Sequence, residues 1–183
     1  MFGPNSEPAT LKRDCEVILV PDGFPVTLHT DSLVYITQAM GGCYTIYFEG
    51  NLFRVGALDA DALGKEPFEP PKLPDNASDE EFNQLVWDQM KTVYDPEIPV
   101  NIVDLGLVYR CEMSSDENGG HVVDVDMTLT APGCGMGEIL VEDVREKIEL
   151  IPTIAHARVY LVFEPPWNQS MMSEAARLEM GMF

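Results

Sequence analysis

The chain has 183 residues, enough for one well-filled core or for a main domain with a small appendage. Hydrophobic residues make up 45% of it, the range of an ordinary globular protein rather than a disordered one. The formal charge of -20, from 31 acidic against 11 basic side chains, argues against nucleic acid and against anionic membrane as partners, since both need a basic surface. Such acidity first of all keeps a protein soluble, and beyond that suits a basic protein partner or metal ions.

No stretch approaches the roughly 18 apolar residues of a membrane span. The start, Met1 to Pro8, has neither the charged beginning nor the apolar run of a signal peptide, so the expected location is cytoplasmic. Four cysteines, Cys15, Cys43, Cys111 and Cys134, are well separated and include no C-x-x-C pair. That is too sparse for a disulfide framework and lacks zinc-site spacing, which leaves reduced thiols.

In chain order, residues 1–63 read as a small β-meander or partial barrel. Cys15 to Val20 is apolar and partly β-branched, and Pro21-Asp22-Gly23 is a turn signal. Val26–His29 and Leu33–Thr37 follow, and Tyr44–Phe48 with Asn51–Val55 form a hairpin across Glu49-Gly50. Residues 64–77 are a linker in which Pro67, Pro70, Pro71 and Pro74 favour an extended, semi-rigid spacer. Residues 78–183 alternate helix and strand. Ser78-Asp79-Glu80-Glu81 has the form of a capping box, and Phe82, Leu85, Val86, Met90 and Val93 share one helical face before Asp95-Pro96. Leu107–Met113 reads as a strand closed by a polar loop from Ser114 to Gly120. His121–Thr130 is the clearest strand, with Val123, Val125, Met127 and Leu129 on one side. Met136, Ile139, Leu140, Val144 and Ile148 define a second helix, Ala157, Val159, Leu161 and Phe163 a third strand, and residues 170–180 a last helix. The order α-β-β-α-β-α predicts an α+β protein: a two-layer domain with helices on one face of a small mixed sheet, preceded by an all-β segment.

Two stretches carry candidate chemistry. In Thr130-Ala131-Pro132-Gly133-Cys134-Gly135-Met136-Gly137, Gly133 and Gly135 flank a single cysteine between a strand and a helix. A thiol before a helix N-terminus faces unpaired N–H groups and the positive end of the dipole, which favour thiolate, the form that binds soft metals. The plainer reading is a buried small hydrophobe at a tight turn. In Asp95-Pro96-Glu97-Ile98-Pro99 through Asp104-Leu105-Gly106-Leu107-Val108-Tyr109, Glu97 and Asp104 are candidate metal ligands or acid/base groups. The simpler account has Asp95 and Asp104 capping backbone N–H groups in turns. His29, His121 and His156 are scattered without ligand spacing, and His156 stands at a strand start. Cys15, Cys43 and Cys111 read as core residues, and Phe163–Asn168 as an aromatic plug at a strand end. The common nucleotide, hydrolase and zinc-protease motifs do not occur.

Together these two stretches resemble the small domain of the SufT-type proteins of iron–sulfur cluster assembly, a family that includes PaaD and the eukaryotic cytosolic iron–sulfur targeting subunit. The resemblance continues into Pro165-Pro166-Trp167-Asn168 and Ser173–Arg177. The segments Ile36–Gly42 and Gly50–Gly64 are similar to the N-terminal extension of the longer SufT proteins. The resemblance implies an accessory factor rather than an enzyme, acting with client iron–sulfur apoproteins and other assembly factors. It places the family's cysteine at Cys134 and its acidic loop at Asp95, Glu97 and Asp104, with Thr130, Gly133 and Gly135 in support. Where many short relatives have proline after the cysteine, this chain has Gly135. Clusters take about four thiolates and this motif supplies one. The expectation is a transient cluster or iron held between two copies of Cys134 in a homodimer. A metal-free adaptor that recruits clients is the alternative, and a thiol-based redox enzyme a third reading.

Overall fold

The computed structural model describes residues 6–95, 98–133 and 135–182, which divide into one unit running to Glu69 and a second from Pro70 onward. Strands β1 (Glu7–Thr10), β2 (Cys15–Val20), β3 (Pro25–Leu28), β4 (Leu33–Met40), β5 (Cys43–Phe48) and β6 (Asn51–Val55) form the first unit's antiparallel sheet, in the order β1-β4-β5-β6-β2-β3. Alternation sends Cys15 and Val17, Val34 and Ile36, Ile46, and Phe53 and Val55 to one buried face. A 3-10 helix, Ala57–Leu63, adds Ala62 and Leu63 to that core. Arg13 bridges Asp59 and Asp61 of this helix at 2.8 and 2.6 Å. β4, β5 and β6 follow one another as hairpins, but β2 joins beyond β6 and β1 beyond β4. β1, Glu-Pro-Ala-Thr, has no strand signature of its own and is held by pairing with β4.

The second unit follows the predicted α-β-β-α-β-α order: α1 (Asp79–Met90), β7 (Val108–Ser115), β8 (His121–Met127), α2 (Gly137–Glu149), β9 (Ile154–Leu161) and α3 (Glu174–Glu179). The capping box is present, with the Ser78 hydroxyl accepting from Glu81 N–H and the Glu81 carboxylate accepting from Ser78 N–H at 2.8 Å. Helix α1 stops at Met90, before the expected Val93. Thr92 closes it by donating both its N–H and its hydroxyl to the Gln89 carbonyl, at 3.0 and 2.7 Å. Val93 is nonetheless buried. The expected last helix is divided into a 3-10 turn, Gln169–Met171, and α3, because the Ser173 hydroxyl caps Ala176 N–H and a new helix begins there.

β7 pairs antiparallel with β8, and β8 parallel with β9, the parallel step being the α2 crossover. Val123, Val125, Met127 and Ala157 meet Phe82, Val86 and Met90 of α1 and Leu140, Val144 and Ile148 of α2 in one core. The opposite sheet face is charged. Arg110 pairs with Asp126 across β7–β8 and Arg158 with Asp124 across β8–β9, at 2.7 and 2.8 Å. These half-exposed pairs set register more than they add stability. No helix among the described residues is long and apolar enough to cross a membrane.

Candidate functional site

The two motif stretches meet at the C-terminal end of β8. Thr128 N–H, just past that strand, donates to the Leu107 carbonyl at 2.8 Å, and both residues are buried. From there the chain passes half-buried Thr130 to exposed Gly133, at φ +81°, and α2 begins three residues after Cys134. Cys134 and Glu97 lie outside the described residues. Gly135 is exposed, and Met136, the N-cap of α2, gives its first turn no side-chain cap. Gly137 earns its place by packing: a Cβ there would stand 2.8 Å from a Leu129 methyl and 3.2 Å from one of Leu161. Nothing in the local sequence signals this role, because the neighbours that crowd Gly137 come from other segments.

The loop from Asp95 to Tyr109 is organised by Asn101, which the sequence reading did not single out. Its side-chain carbonyl accepts from Val103 and Asp104 N–H at 3.0 and 2.9 Å, and its amide donates to the Asp104 carboxylate at 2.6 Å. The signal was available as an Asn at the head of a tight turn. Asp95 is buried, and its carbonyl accepts from Ile98 N–H.

Residues 164–173 bind this loop down. Trp167 Nε1 donates to the Leu105 carbonyl at 2.8 Å, Tyr109 Oη to the Pro165 carbonyl at 2.7 Å, and Ser173 N–H to the Asp104 carbonyl at 2.8 Å. Gly106, at φ +74°, lies directly against the Met171 backbone. The segment is therefore a strap anchored by Trp167 rather than an aromatic plug, since Phe163 is 49% exposed. Trp167→Phe keeps most of the packing but leaves the Leu105 carbonyl, on a residue 1% exposed, without its donor. The expected loss is about 1–2 kcal/mol of unfolding free energy, read by circular dichroism in denaturant.

Of the remaining thiols and imidazoles, Cys15, Cys43 and His29 belong to the first unit, and Cys111, His121 and His156 lie on the strands of the second. Cys15 is buried and its thiol is pushed up to about 11 by burial; half-buried Cys111 is raised to about 11 for the same reason. Neither is poised as a thiolate near neutrality. His29 contacts Asp14, His156 is exposed on β9, and His121 stacks on Phe82. Among the described residues no three His, Cys, Asp or Glu side chains cluster as a metal would require.

A two-layer α+β domain whose two motif loops converge at one end of a three-stranded mixed sheet is what fold and site define. The family model described as "Iron-sulfur cluster assembly protein" matches residues 83–161. Over 92 residues the chain is 49% identical to an Fe-S protein maturation auxiliary factor of Porphyromonas gingivalis, covering 50% of this chain and 84% of that protein. Over 90 residues it is 42% identical to the Fe-S protein maturation auxiliary factor SufT of Staphylococcus aureus, covering 49% of this chain and 98% of that one. A crystal structure of a domain of unknown function DUF59 from Bacillus anthracis is 36% identical, spans 57% of this chain and 95% of its own, and gives a TM-score of 0.47. The chain belongs to the iron–sulfur cluster assembly protein family.

Proposed function

We propose that this chain is a non-enzymatic accessory factor that takes up an iron–sulfur cluster or iron transiently on Cys134 and passes it to client apoproteins. The observation that carries the reading is that the two motif stretches meet at the end of β8, from which the chain leads through Cys134 into α2, whose first turn has no side-chain cap. The helix dipole there favours a thiolate close by in sequence. The cargo is substrate and not a resident cofactor. One thiolate per chain falls short of the about four ligands a cluster takes. Among the described residues no three His, Cys, Asp or Glu side chains group as a ligand set. Two copies of Cys134 in a homodimer, completed by a small thiol or by the client, meet that requirement. Transfer is then ligand exchange, with client thiolates replacing those of Cys134 and no change of oxidation state. The second reading is a metal-free adaptor that recruits clients and assembly factors.

Anaerobic reconstitution with iron and sulfide tests the carrier reading, comparing wild type with Cys134→Ser by visible absorption and size-exclusion chromatography. The expected result is a charge-transfer band that elutes with a dimer and falls at least tenfold in the variant, with unchanged circular dichroism. An equal band in both proteins would overturn the role of Cys134, and no band in either would overturn the carrier reading and leave the adaptor.

A further inference from the structure

The second unit holds a cavity of about 290 Å³ at the opposite end of β8 from the motif loops. Leu73 and Pro74, Phe82 of α1, and Pro152 before β9 supply its apolar lining. His121, the first residue of β8, closes one side, its ring centroid 4.4 Å from that of Phe82. Because His121 covers the Phe82 face, the aromatic surface left to a ligand is the imidazole itself. Ala77, Thr153, Asp75 and Asp79 complete the lining; both aspartates are exposed, and neither carboxylate has an ion-pair or hydrogen-bond partner among the described residues.

From this the geometry points to a docking site for a basic side chain, arginine foremost, presented by an extended segment of a protein partner. Size limits the ligand, since about 290 Å³ lies at the bottom of the range for small-molecule pockets and suits one long side chain better than a cofactor. Shape and charge select its chemistry. An arginine lays its aliphatic stem along Leu73, Pro74 and Pro152, stacks its guanidinium plane on the imidazole, and directs its N–H groups at two unpaired carboxylates. An anion is disfavoured, because the Glu81 carboxylate already occupies the start of α1 through the capping box.

The surrounding field has the same sign. Residues 70–183 carry seven Lys and Arg against twenty-one Asp and Glu, a formal charge of -14. Arg110, Arg145 and Arg158 are spent in ion pairs, and Lys147 is buried. Lys72, next to the cavity in sequence, does not line it. The hairpin turn that leads into His121 adds Asp116 and Glu117 at the same end of the sheet. A basic segment is thus steered toward this end and finds one pocket shaped for its side chain.

The test is an NMR titration of the full chain with a hexapeptide of alternating arginine and glycine, beside the same peptide with citrulline for arginine. The expected result is a saturable shift of the His121 and Phe82 ring signals with the arginine peptide, at least tenfold weaker with citrulline. Affinity should fall at least tenfold in the Asp75→Asn, Asp79→Asn double variant. It should change less than twofold when Glu174→Gln and Glu179→Gln remove the same charge from α3. Equal binding of both peptides, equal loss in both double variants, or no ring shifts would each overturn the assignment. No iron enters the measurement, so its outcome is independent of the role of Cys134.

Discussion

Gly106→Ala should lower the thermal midpoint of the second unit by about 8 °C or more. A Cβ on Gly106 would fall 2.7 Å from the Met171 carbonyl carbon, closer still to its oxygen, and 3.0 Å from the Met171 side chain. A carbonyl held in backbone cannot swing aside as a side-chain end can. The residue also sits at φ +74°, where an L side chain is strained. Strain of about 1–2 kcal/mol and overpacking of about 1–3 kcal/mol together predict a loss of about 2–5 kcal/mol. For a unit of this size each kcal/mol shifts the midpoint by roughly 4 °C or more. Both tryptophans, Trp87 and Trp167, belong to the second unit, so their fluorescence follows it alone. Gly119→Ala is the control: at φ +83° with nothing within 4 Å, it carries only the conformational cost, about 1 kcal/mol. If the two variants melt within 2 °C of each other, the strap does not press on Gly106 as described.

That contrast shows what the sequence could and could not disclose. Period and punctuation were enough for the elements of the second unit: the capping box at Ser78, the alternation from Val123 to Met127, and the β-α-β step that made a mixed sheet the natural arrangement. They also located the two motif stretches. What they missed depends on partners distant in sequence. Gly106 reads as an ordinary turn glycine until residue 171 is brought against it, and Gly137 until Leu129 and Leu161 surround it. β1 has no pattern of its own and exists through β4, and the order β1-β4-β5-β6-β2-β3 is a matter of long-range pairing. The periodic pattern carries α1 one turn too far because Val93 keeps the helical period after the helix has closed.

Asn101 was legible in principle, and it yields the second large effect. Asn101→Ala removes the acceptor for Val103 and Asp104 N–H and the donor to the Asp104 carboxylate, in a part-buried loop. The expected loss is about 2–3 kcal/mol, nearly independent of pH. Asn101→Asp behaves differently. Its side chain still accepts the two N–H bonds, but an oxygen now replaces the amide nitrogen 2.6 Å from Asp104 Oδ2. Two carboxylates at that spacing cannot both ionise cheaply, so in the folded variant one proton is held to a higher pH than in the unfolded chain. A carboxylate whose folded pKa is raised binds more protons in the folded state. Stability relative to wild type therefore falls as pH rises through the raised pKa and recovers as pH drops toward the unfolded value near 4. Recovery of about 1 kcal/mol or more is expected between pH 7 and pH 4. Urea unfolding at the two pH values, followed by tryptophan fluorescence, reads the difference. A deficit in Asn101→Asp that stays flat with pH would mean the carboxylates have separated, and that the amide of Asn101 is not what ties Asp104 into the loop.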